Sequence, residues 1–518
     1  MINYSISHLK YLSSMNFTGR KVTVMGLGLH GGGVSCANWL IKHGAKVTVT
    51  DLKTKEELKP SLDKLAIKRS SDQTIKLVLG YHRENDFRNA DLIVQNPGVP
   101  RESKYLAIAK KSGVPIENEA SLFFKYCPAK IIGVTGTRGK STTSSLIYQL
   151  LKVKSYPDVK SGSRPKRRDK LQARKVWLAG LPQKPMLEIL DQIKPNDLVV
   201  LELSSWQLEI LGEQKLSPQI AVLTNIYPDH LNRYLGMADY VKAKINIFQW
   251  QNKNDFVVLN LDNFETKKLG GKVRAKRFLF SKKYFAEQNG SFIKNKQIFF
   301  RKDGKTYKLT NLSTYKLIGE HNLENFLAAI TVAGIFGVKP KEITAALNKF
   351  KGLPGRIELI REKNGVKYIN DTTATTPDAT MAALKIFLER QIPNSKSQTL
   401  SKFKIQNSRF KIILIAGGAS KNIPIQKYQE LAAMIKKTCK AVILFEGEGS
   451  DQMAKDLKAI KFRELVTNVL GMSSAVGIAN NFSQTGDIIL LSPSSASFGL
   501  FINEFDQGDQ FNKIVSDI

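Results

Sequence analysis

A glycine-rich segment between an apolar run and a helix-like run has the residue types of a phosphate-binding loop. It reads Gly136-Thr-Arg-Gly139-Lys140-Ser141-Thr142. Glycines allow the backbone to approach a phosphate, a lysine offsets the charge of the terminal phosphates, and a Ser or Thr hydroxyl can ligate magnesium. A glycine turn with a surface lysine is the alternative. Because Val134 stands where GxxxxGK[ST] requires its first glycine, the segment predicts a nucleotide site unlike those of motor proteins and GTPases.

A carboxylate and an imidazole follow two later apolar runs. Glu202 ends the run at 197–202, and Asp229 and His230 come shortly after the run at 220–225. Since parallel strands end at one edge of their sheet, these side chains would emerge near the phosphate loop, where a hard divalent cation needs oxygen ligands. A helix cap or a local ion pair is the alternative for Glu202. The pattern predicts a magnesium site that His230 completes.

Four polar residues further along the chain have the chemistry to bind a nucleotide. Asn322 and Asn325 stand one helical turn apart and could read an adenine edge, although helix capping explains them equally well. Arg356 offers a guanidinium for phosphate, and Asp371 offers a carboxylate for ribose hydroxyls. An ion pair between domains explains Arg356 and Asp371 equally well.

The N-terminal segment Gly26-Leu-Gly28-Leu-His-Gly31 has the spacing GxGxxG of dinucleotide-binding turns. It lies between an apolar run and a helix-like run, and Asp51 follows the next apolar run. An acid about 20 residues after the glycines is typical of Rossmann-like folds. The motif alone is weak evidence, and a tight turn that binds nothing is the alternative.

The elements that would position these residues recur along the whole chain. Apolar runs of strand length alternate with helix-length intervals, which predicts parallel sheets covered on both faces. A length of 518 residues suggests about three domains. We therefore predict an α/β protein with a Rossmann-like domain at 1–127, a central P-loop ATPase-type parallel sheet at 128–352, and a second Rossmann-like domain at 353–518. The predicted strands are at 21–25, 46–50, 91–94, 130–135, 197–202, 220–225, 255–260, 411–418, 440–445 and 487–492, and the predicted helices include 34–43, 143–151 and 240–248.

Composition excludes several classes of protein. With 42% apolar residues, the chain is too apolar to be mainly disordered. The N-terminus lacks a basic-then-apolar signal pattern and no run of about 18 apolar residues occurs, so we expect a cytoplasmic protein without membrane insertion. The three cysteines lie far apart, which argues against a disulfide framework or a thiolate zinc site.

The net charge of +34 is partly concentrated in two stretches. Residues 152–175 hold ten basic and two acidic side chains, and residues 267–308 hold fourteen and two. Such an excess would favour polyanionic partners or phosphorylated substrates, and a solvated charged face or a generally basic proteome is the alternative. No nucleic-acid recognition motif accompanies it, so a nucleic-acid-binding ATPase is a remote alternative and no nucleic-acid partner is expected. A polar stretch at 393–408 predicts a surface insertion.

Taken together, these segments resemble the Mur ligases of peptidoglycan synthesis, and among them the members that add D-glutamate. The similarity runs from Gly26 to Phe511 and rests on seven segments in order: 136–142, 201–208, 225–230, 319–322, 353–356, 370–375 and 491–497. The resemblance implies an ATP- and Mg²⁺-dependent enzyme that joins D-glutamate to UDP-N-acetylmuramoyl-L-alanine through an acyl phosphate. Another Mur ligase, or an enzyme like folylpolyglutamate synthase, is the alternative. The expected oligomeric state is a monomer.

The resemblance also implies roles for individual residues. The catalytic residues would be Lys140, Glu202, His230 and Lys244, with Lys244 as a lysine that becomes carbamylated. The metal ligands would be Ser141, Glu202, His230 and Lys244. The contacts to ATP would be Gly136, Thr137, Arg138, Gly139, Lys140, Ser141, Thr142, Asn322, Asn325, Arg356 and Asp371. The contacts to the two other substrates would be Leu29, His30, Gly31, Asp51, Thr375, Lys421, Ser497 and Phe505.

Three positions depart from the family pattern. Leu181 stands in Gly180-Leu-Pro-Gln-Lys-Pro185 where the family has an asparagine, immediately after a basic insertion at about 155–173. Thr373 replaces a lysine, and Gly499 stands where aspartate is common. These changes concern substrate contacts more than the chemistry of ATP.

Overall fold

A computed structural model provides the structure of the protein. It describes the following residues: 16–66, 75–153, 175–182, 184–230, 233–312, 320–350, 352–391, 411–420, 423–497 and 499–518. The predicted basic insertion near 155–173 and the polar stretch at 393–408 lie outside these ranges. Within the described part, no helix combines the length and the apolar character needed to cross a membrane.

The N-terminal sheet is parallel throughout and has the strand order β3-β2-β1-β4-β5. Its strands are β1 Lys21–Met25, β2 Lys46–Asp51, β3 Ile75–Leu79, β4 Leu92–Gln95 and β5 Ile116–Glu117. The helices between and after them are α1 Gly32–Lys42, α2 Lys59–Leu62, α3 Glu84–Arg88, α4 Lys104–Lys111 and α5 Glu119–Tyr126. All but the first residue of β1 are buried, which fits a strand inside a sheet covered on both faces.

The central sheet has nine strands in the order β14-β13-β12-β11-β10-β9-β6-β8-β7. They are β6 Lys130–Thr135, β7 Val176–Ala179, β8 Leu198–Glu202, β9 Ile220–Leu223, β10 Phe256–Asn260, β11 Lys276–Ser281, β12 Gly290–Lys294, β13 Gln297–Lys302 and β14 Lys305–Asn311. The helices are α6 Lys140–Lys152, α7 Leu187–Leu190, α8 Ser205–Glu213, α9 Met237–Gln249, α10 Phe264–Leu269, α11 Glu320–Ile335 and α12 Pro340–Lys349, with a 3₁₀ turn at Gly270–Lys272.

Pairing in the central sheet is parallel from β7 to β12 and antiparallel at β12–β13 and β13–β14. These last three strands lie within the basic stretch at 267–308 and just beyond it, where no strand was predicted from the sequence. Charged residues are frequent in this stretch and mask the alternation of polar and apolar residues that would predict a strand. β14 is an edge strand, and its first four residues are exposed.

The C-terminal sheet has the order β15-β16-β20-β17-β18-β19, and only β15 is antiparallel to its neighbour. Its strands are β15 Glu358–Lys363, β16 Val366–Asn370, β17 Ile412–Ala416, β18 Cys439–Phe445, β19 Leu465–Val469 and β20 Ile488–Leu491. Its helices are α13 Pro377–Gln391, α14 Ile425–Thr438, α15 Glu448–Ala459, α16 Met472–Phe482 and α17 Glu504–Asp517. Successive residues of β17 enter different buried clusters, Leu414 one and Ile415 the other, so both faces of the sheet are covered.

The described chain divides into two compact units. The first contains the N-terminal and central sheets, up to residue 312 and again at 321–350, and the second contains the C-terminal sheet. One buried apolar cluster extends from Phe17 through both sheets of the first unit to Phe292. The predicted α/β class and the predicted strands and helices are confirmed, whereas the predicted domain boundaries stay a prediction.

Candidate nucleotide and metal site

The segment 136–139 joins β6 to α6 and takes a backbone conformation that favours glycine. Gly139 has φ +82°, and an added Cβ would lie 2.0 Å from Asn325 Oδ1. At Gly136 an added Cβ would lie 1.9 Å from Thr224 Oγ1. A side chain at either position would therefore displace the side chain of Thr224 or Asn325, so close packing as well as φ favours glycine there.

The strand β9 continues into residues that hold this loop in place. The Thr137 N–H donates to the Asn225 carbonyl at 2.9 Å, and the Arg138 N–H donates to Asn225 Oδ1 at 2.9 Å. The Thr224 hydroxyl donates to the Arg138 carbonyl at 2.7 Å. These bonds leave the first turn of α6, which begins at Lys140, free to present backbone N–H groups to an anion.

Lys140 and Lys244 converge on the same loop from different elements. Lys140 Nζ donates to the carbonyls of Gly136 and Thr137, each at 3.2 Å. Lys244 Nζ donates to the Gly136 carbonyl at 2.9 Å. Two lysine side chains thus meet at the point where the predicted terminal phosphates would lie.

Lys244 is almost completely buried, with 1% of its surface exposed. Burial lowers the pKa of its amine well below the usual value, and the nearby charge of Lys140 lowers it further. The carboxylates of Asp229 and Glu202 oppose this shift more weakly. The site therefore favours the neutral amine of Lys244, which is a nucleophile.

Glu202 is the last residue of β8 and lies beside β6 in register with Val134. Its Oε2 atom is buried and receives no hydrogen bond from any of the described residues. An unpartnered buried carboxylate oxygen is costly unless a cation binds it. The environment of Glu202 therefore fits the predicted magnesium ligand.

His230 follows β9 at φ +52°, and 43% of its side chain is exposed. Its ring lies 5.3 Å from the Trp206 ring and 6.2 Å from the Tyr240 ring, centroid to centroid. Burial lowers the pKa of the imidazole, and although Asp229 opposes this, Lys140 and Lys244 add to it. A neutral imidazole keeps the lone pair that a metal ion needs.

A metal ion at this site would need ligands other than His, Cys, Asp and Glu side chains. In the described ranges, no group of three or more such residues could hold a metal ion. A magnesium ion beside Glu202 and His230 would need further oxygen ligands, and Ser141, buried at the start of α6, is in the right segment to supply one.

The two predicted adenine contacts lie on α11 and support the loop. Asn325 is buried, accepts a hydrogen bond from the Thr143 hydroxyl at 3.3 Å, and donates to Asn322 Oδ1 at 3.2 Å. Asn325 thus buttresses Gly139 and α6. Contact of either asparagine with adenine stays a prediction.

The N-terminal glycine turn places Leu29, His30 and Gly31 immediately before α1. Asp51 accepts hydrogen bonds at its Oδ2 from the N–H groups of Leu27 at 2.8 Å and Gly28 at 3.1 Å. Its carboxylate therefore holds the turn together. Substrate contacts by these four residues stay a prediction.

The second unit carries the other predicted contacts. Asp371 is buried and accepts from the Ser492 hydroxyl at 2.9 Å and the Ile357 N–H at 3.2 Å, and burial raises its pKa to about 7. Arg356 is exposed, Thr375 is partly exposed, Ser497 is buried, and Phe505 lies in the first turn of α17. Lys421 lies outside the described residues.

The three departures have local structural consequences. The Leu181 carbonyl accepts from the Lys184 N–H at 2.9 Å, which closes a turn against Gly180. The Thr373 hydroxyl donates to the Gly355 carbonyl at 3.0 Å. Gly499 has φ +104°, a conformation that an aspartate adopts only with strain.

Sequence reasoning missed Thr224, Asn225 and Tyr240 as parts of the site. Thr224 and Asn225 directly follow β9, at the same edge of the sheet as Glu202. Their position at the end of a predicted strand could have identified them as site residues. Tyr240 stands four residues before Lys244 on α9, the spacing of neighbours on one helix face, but tyrosine at such a position is usually a core residue.

Two models of known protein families match most of the first unit. Residues 20–118 match the description "Mur ligase MurD-like, N-terminal domain", and residues 134–333 match "Mur ligase middle domain". Two curated relatives are UDP-N-acetylmuramoylalanine–D-glutamate ligases. The protein from Roseiflexus sp. (strain RS-1) is 38% identical, with 97% of this chain and 99% of the relative covered. The protein from Borreliella afzelii (strain PKo) is 35% identical, with 98% and 99% covered.

Solved structures with lower sequence identity share the fold. The UDP-N-acetylmuramate-alanine ligase of Thermotoga maritima is 18% identical with a TM-score of 0.56, covering 96% of this chain and 99% of the other. The ADP complex of the MurF ligase from the same organism is 17% identical with a TM-score of 0.51, covering 97% of each chain.

Proposed function

The chain belongs to the Mur ligase family, and on that premise we propose how its residues carry out the reaction of its D-glutamate-adding relatives. The reaction uses ATP and Mg²⁺ to join D-glutamate to UDP-N-acetylmuramoyl-L-alanine in the synthesis of peptidoglycan precursors. One observation carries the assignment of roles: Lys140 and Lys244 donate to carbonyls of the loop 136–139, and Glu202 and His230 lie close enough to interact electrostatically with Lys244. We further propose that the protein acts as a monomer.

Activation of the acceptor comes first, because a carboxylate is a poor electrophile at neutral pH. The L-alanine carboxylate attacks the γ-phosphorus of ATP, the bond from that phosphorus to the bridging oxygen breaks, and ADP leaves. An acyl phosphate results. Lys140 and the N–H groups at the start of α6 hold the phosphoryl oxygens where negative charge develops.

Amide formation follows on the activated carbonyl. The neutral amine of D-glutamate attacks the acyl carbon, loses a proton, and expels inorganic phosphate. We assign D-glutamate and the muramoyl-alanine end to Thr375, Lys421, Ser497 and Phe505, and the nucleotide to Arg356 and Asp371. Leu29, His30, Gly31 and Asp51 would bind the UDP end.

The metal would be held by Ser141, Glu202, His230 and a modified Lys244. When bound, magnesium neutralises phosphate charge and aligns the oxygens of the transfer. The unpartnered Oε2 of Glu202 and the neutral imidazole of His230 support this donor set.

Carbamylation of Lys244 would turn an unfavourable buried cation into an anionic ligand. The neutral amine attacks carbon dioxide, a carbon–nitrogen bond forms, and one proton leaves. The nearly complete burial and the lowered pKa of Lys244 support this step, because both favour the unprotonated amine.

Substrate dependence tests the proposed function. Phosphate release should require both UDP-N-acetylmuramoyl-L-alanine and D-glutamate. Release that instead depends on another amino acid, or on a folate acceptor, would replace the assignment by a related amide ligase. Release stimulated by polynucleotide alone would favour a nucleic-acid-binding ATPase.

Substitution of Lys140 tests the assignment of the loop. Lys140→Ala should lower the rate of phosphate release by about a hundredfold or more, because a donor to the transferring phosphoryl group is lost. Lys152→Ala, at the exposed end of the same helix, is the control and should retain wild-type turnover. Turnover in Lys140→Ala similar to wild type would refute the role of this lysine.

A further inference from the structure

Tyr240 contacts three components of the proposed site without belonging to the predicted set of site residues. It lies in the first turns of α9 and is 1% exposed. Its hydroxyl reaches the phosphate loop, one face of its ring is near Lys244, and its ring is near that of His230. A residue whose separate atoms touch separate components can fix their relative positions.

The hydroxyl of Tyr240 connects α9 to the loop. It lies 3.2 Å from Thr137 Oγ1, and either atom can be the donor. Thr137 Oγ1 also accepts from the Tyr227 N–H at 3.0 Å. The hydroxyl pair therefore links α9, the phosphate loop and the segment that leads to His230.

The ring of Tyr240 limits where the Lys244 side chain can lie. Lys244 Nζ is 4.7 Å from the ring centroid and 2.9 Å from the Gly136 carbonyl. An ammonium is attracted to an aromatic face, and the N–H of a neutral amine can also point at it. The ring and the carbonyl together hold Nζ at the loop.

We propose that Tyr240 is a positioning residue with two separable actions: its hydroxyl holds the phosphate loop through Thr137, and its ring holds Lys244 in place for modification. The second action rests on the proposed carbamylation of Lys244. A purely apolar core role does not explain the hydroxyl, because phenylalanine would fill the same space without a buried polar atom that requires a partner.

Tyr240→Phe separates the two actions. It removes the hydroxyl and keeps the ring, so the Kd of ADP, measured calorimetrically in EDTA, should rise about tenfold. The signal of the Lys244 carbamate, measured by NMR after addition of ¹³C-bicarbonate, should match wild type. Unchanged ADP affinity would overturn the role of the hydroxyl, and a lost carbamate signal would overturn the division between hydroxyl and ring.

Tyr240→Leu tests the ring directly. It should lose most of the carbamate signal as well as ADP affinity, with folding checked by a cooperative melt. A wild-type carbamate signal in this variant would overturn the role of the ring. Tyr234→Phe is the matched control. Tyr234 is a buried neighbour, 5.1 Å from Tyr240 between ring centroids, and among the described residues its side chain makes no hydrogen bond to the loop. This variant should bind ADP like wild type.

The two proposals fail in different ways. Absence of any carbamate signal in the wild type would refute the modification of Lys244, whereas the ADP measurement on Tyr240→Phe would still decide the role of the hydroxyl. Absence of D-glutamate-dependent turnover would refute the proposed function and leave both measurements on Tyr240 interpretable.

Discussion

Lys140 and Lys244 have the same side chain and contact the same carbonyl, yet burial gives them different chemistry. Lys140 is partly exposed, and its ammonium suits phosphate charge. Lys244 is buried at 1% exposure, and the low pKa of its amine suits covalent modification. At the scale of single residues, solvent access thus separates a binding lysine from a reactive one.

Removal of Lys244 should be partly reversible by small anions. Lys244→Ala should lose about a hundredfold in turnover, because the anionic ligand and the bond to the Gly136 carbonyl are both absent. Acetate or bicarbonate should restore part of this rate by occupying the place of the carbamate. Lys242→Ala, exposed on the same helix, should keep wild-type turnover. Wild-type turnover in Lys244→Ala would remove this lysine from the mechanism.

Glu119 makes the stability of the protein depend on pH. It is buried and accepts from the Met186 N–H at 2.7 Å and the Leu187 N–H at 3.3 Å. Burial raises its pKa from an ordinary 4.5 to about 7, although these bonds lower it. Between pH 4.5 and about 7, Glu119 therefore keeps its proton in the folded state and has lost it in the unfolded state. Stability from this group is fully present below pH 4.5 and is lost as pH rises through about 7.

Glu119→Gln should remove this dependence. The amide stays neutral and its oxygen can accept both N–H groups, so the variant should be more stable than wild type at pH 8, by at most roughly 3 kcal/mol. At pH 4.5 the two should be similar. Denaturant unfolding at both pH values measures the difference, with the exposed Glu213→Gln as control. A variant less stable than wild type at pH 8 would contradict the assignment.

At the scale of elements, the phosphate loop is shaped by the helix that packs on it. Gly139 needs both a positive φ and the absence of a Cβ, since Asn325 of α11 occupies that space. Gly136 is confined in the same way by Thr224 after β9. The loop conformation therefore depends on residues of α11 and on the segment after β9. Its two glycines are needed because these residues, distant in sequence, pack against them.

Gly139→Ala should weaken ADP binding about tenfold or more, because left-handed backbone costs about 1–2 kcal/mol for alanine and the Cβ meets Asn325. The same change in an Asn325→Ala background should cost less, since only the backbone strain persists. Calorimetric titration of all four proteins gives the coupling. Gly304→Ala, at φ +77° with open space around it, is the control for strain alone and should leave ADP binding unchanged. Equal costs in both backgrounds would contradict the contact.

At the scale of the whole molecule, the described groups of the phosphate loop and the proposed metal site all belong to the first compact unit. Lys140, Glu202, His230, Lys244 and Asn325 lie in residues up to 350. The continuous buried cluster of that unit is made of its own residues. The second unit carries Arg356, Asp371 and the proposed amino-acid contacts.

A fragment of residues 1–350 should therefore fold and bind ADP without ligating D-glutamate. Its melting transition should be cooperative, and its ADP affinity should fall by less than about tenfold if Arg356 and Asp371 add only part of the binding energy. Circular dichroism and calorimetry measure these properties. A fragment that does not fold, or that ligates D-glutamate unaided, would contradict this division of functions.

The sequence alone determined the α/β class, the main strands, the phosphate loop and the positions of Glu202, His230 and Lys244 along the chain. These follow from local periodicity, from the spacing of glycines and from family motifs, which are readable without contacts. Only the tertiary structure decided that Glu202 Oε2 has no protein partner, that Lys244 is buried beneath the loop, that Asn325 lies against Gly139, and that Tyr240 touches both loop and lysine. It also decided that β12, β13 and β14 pair as antiparallel strands. Burial and close approach arise from residues far apart in sequence, so no local pattern contains them.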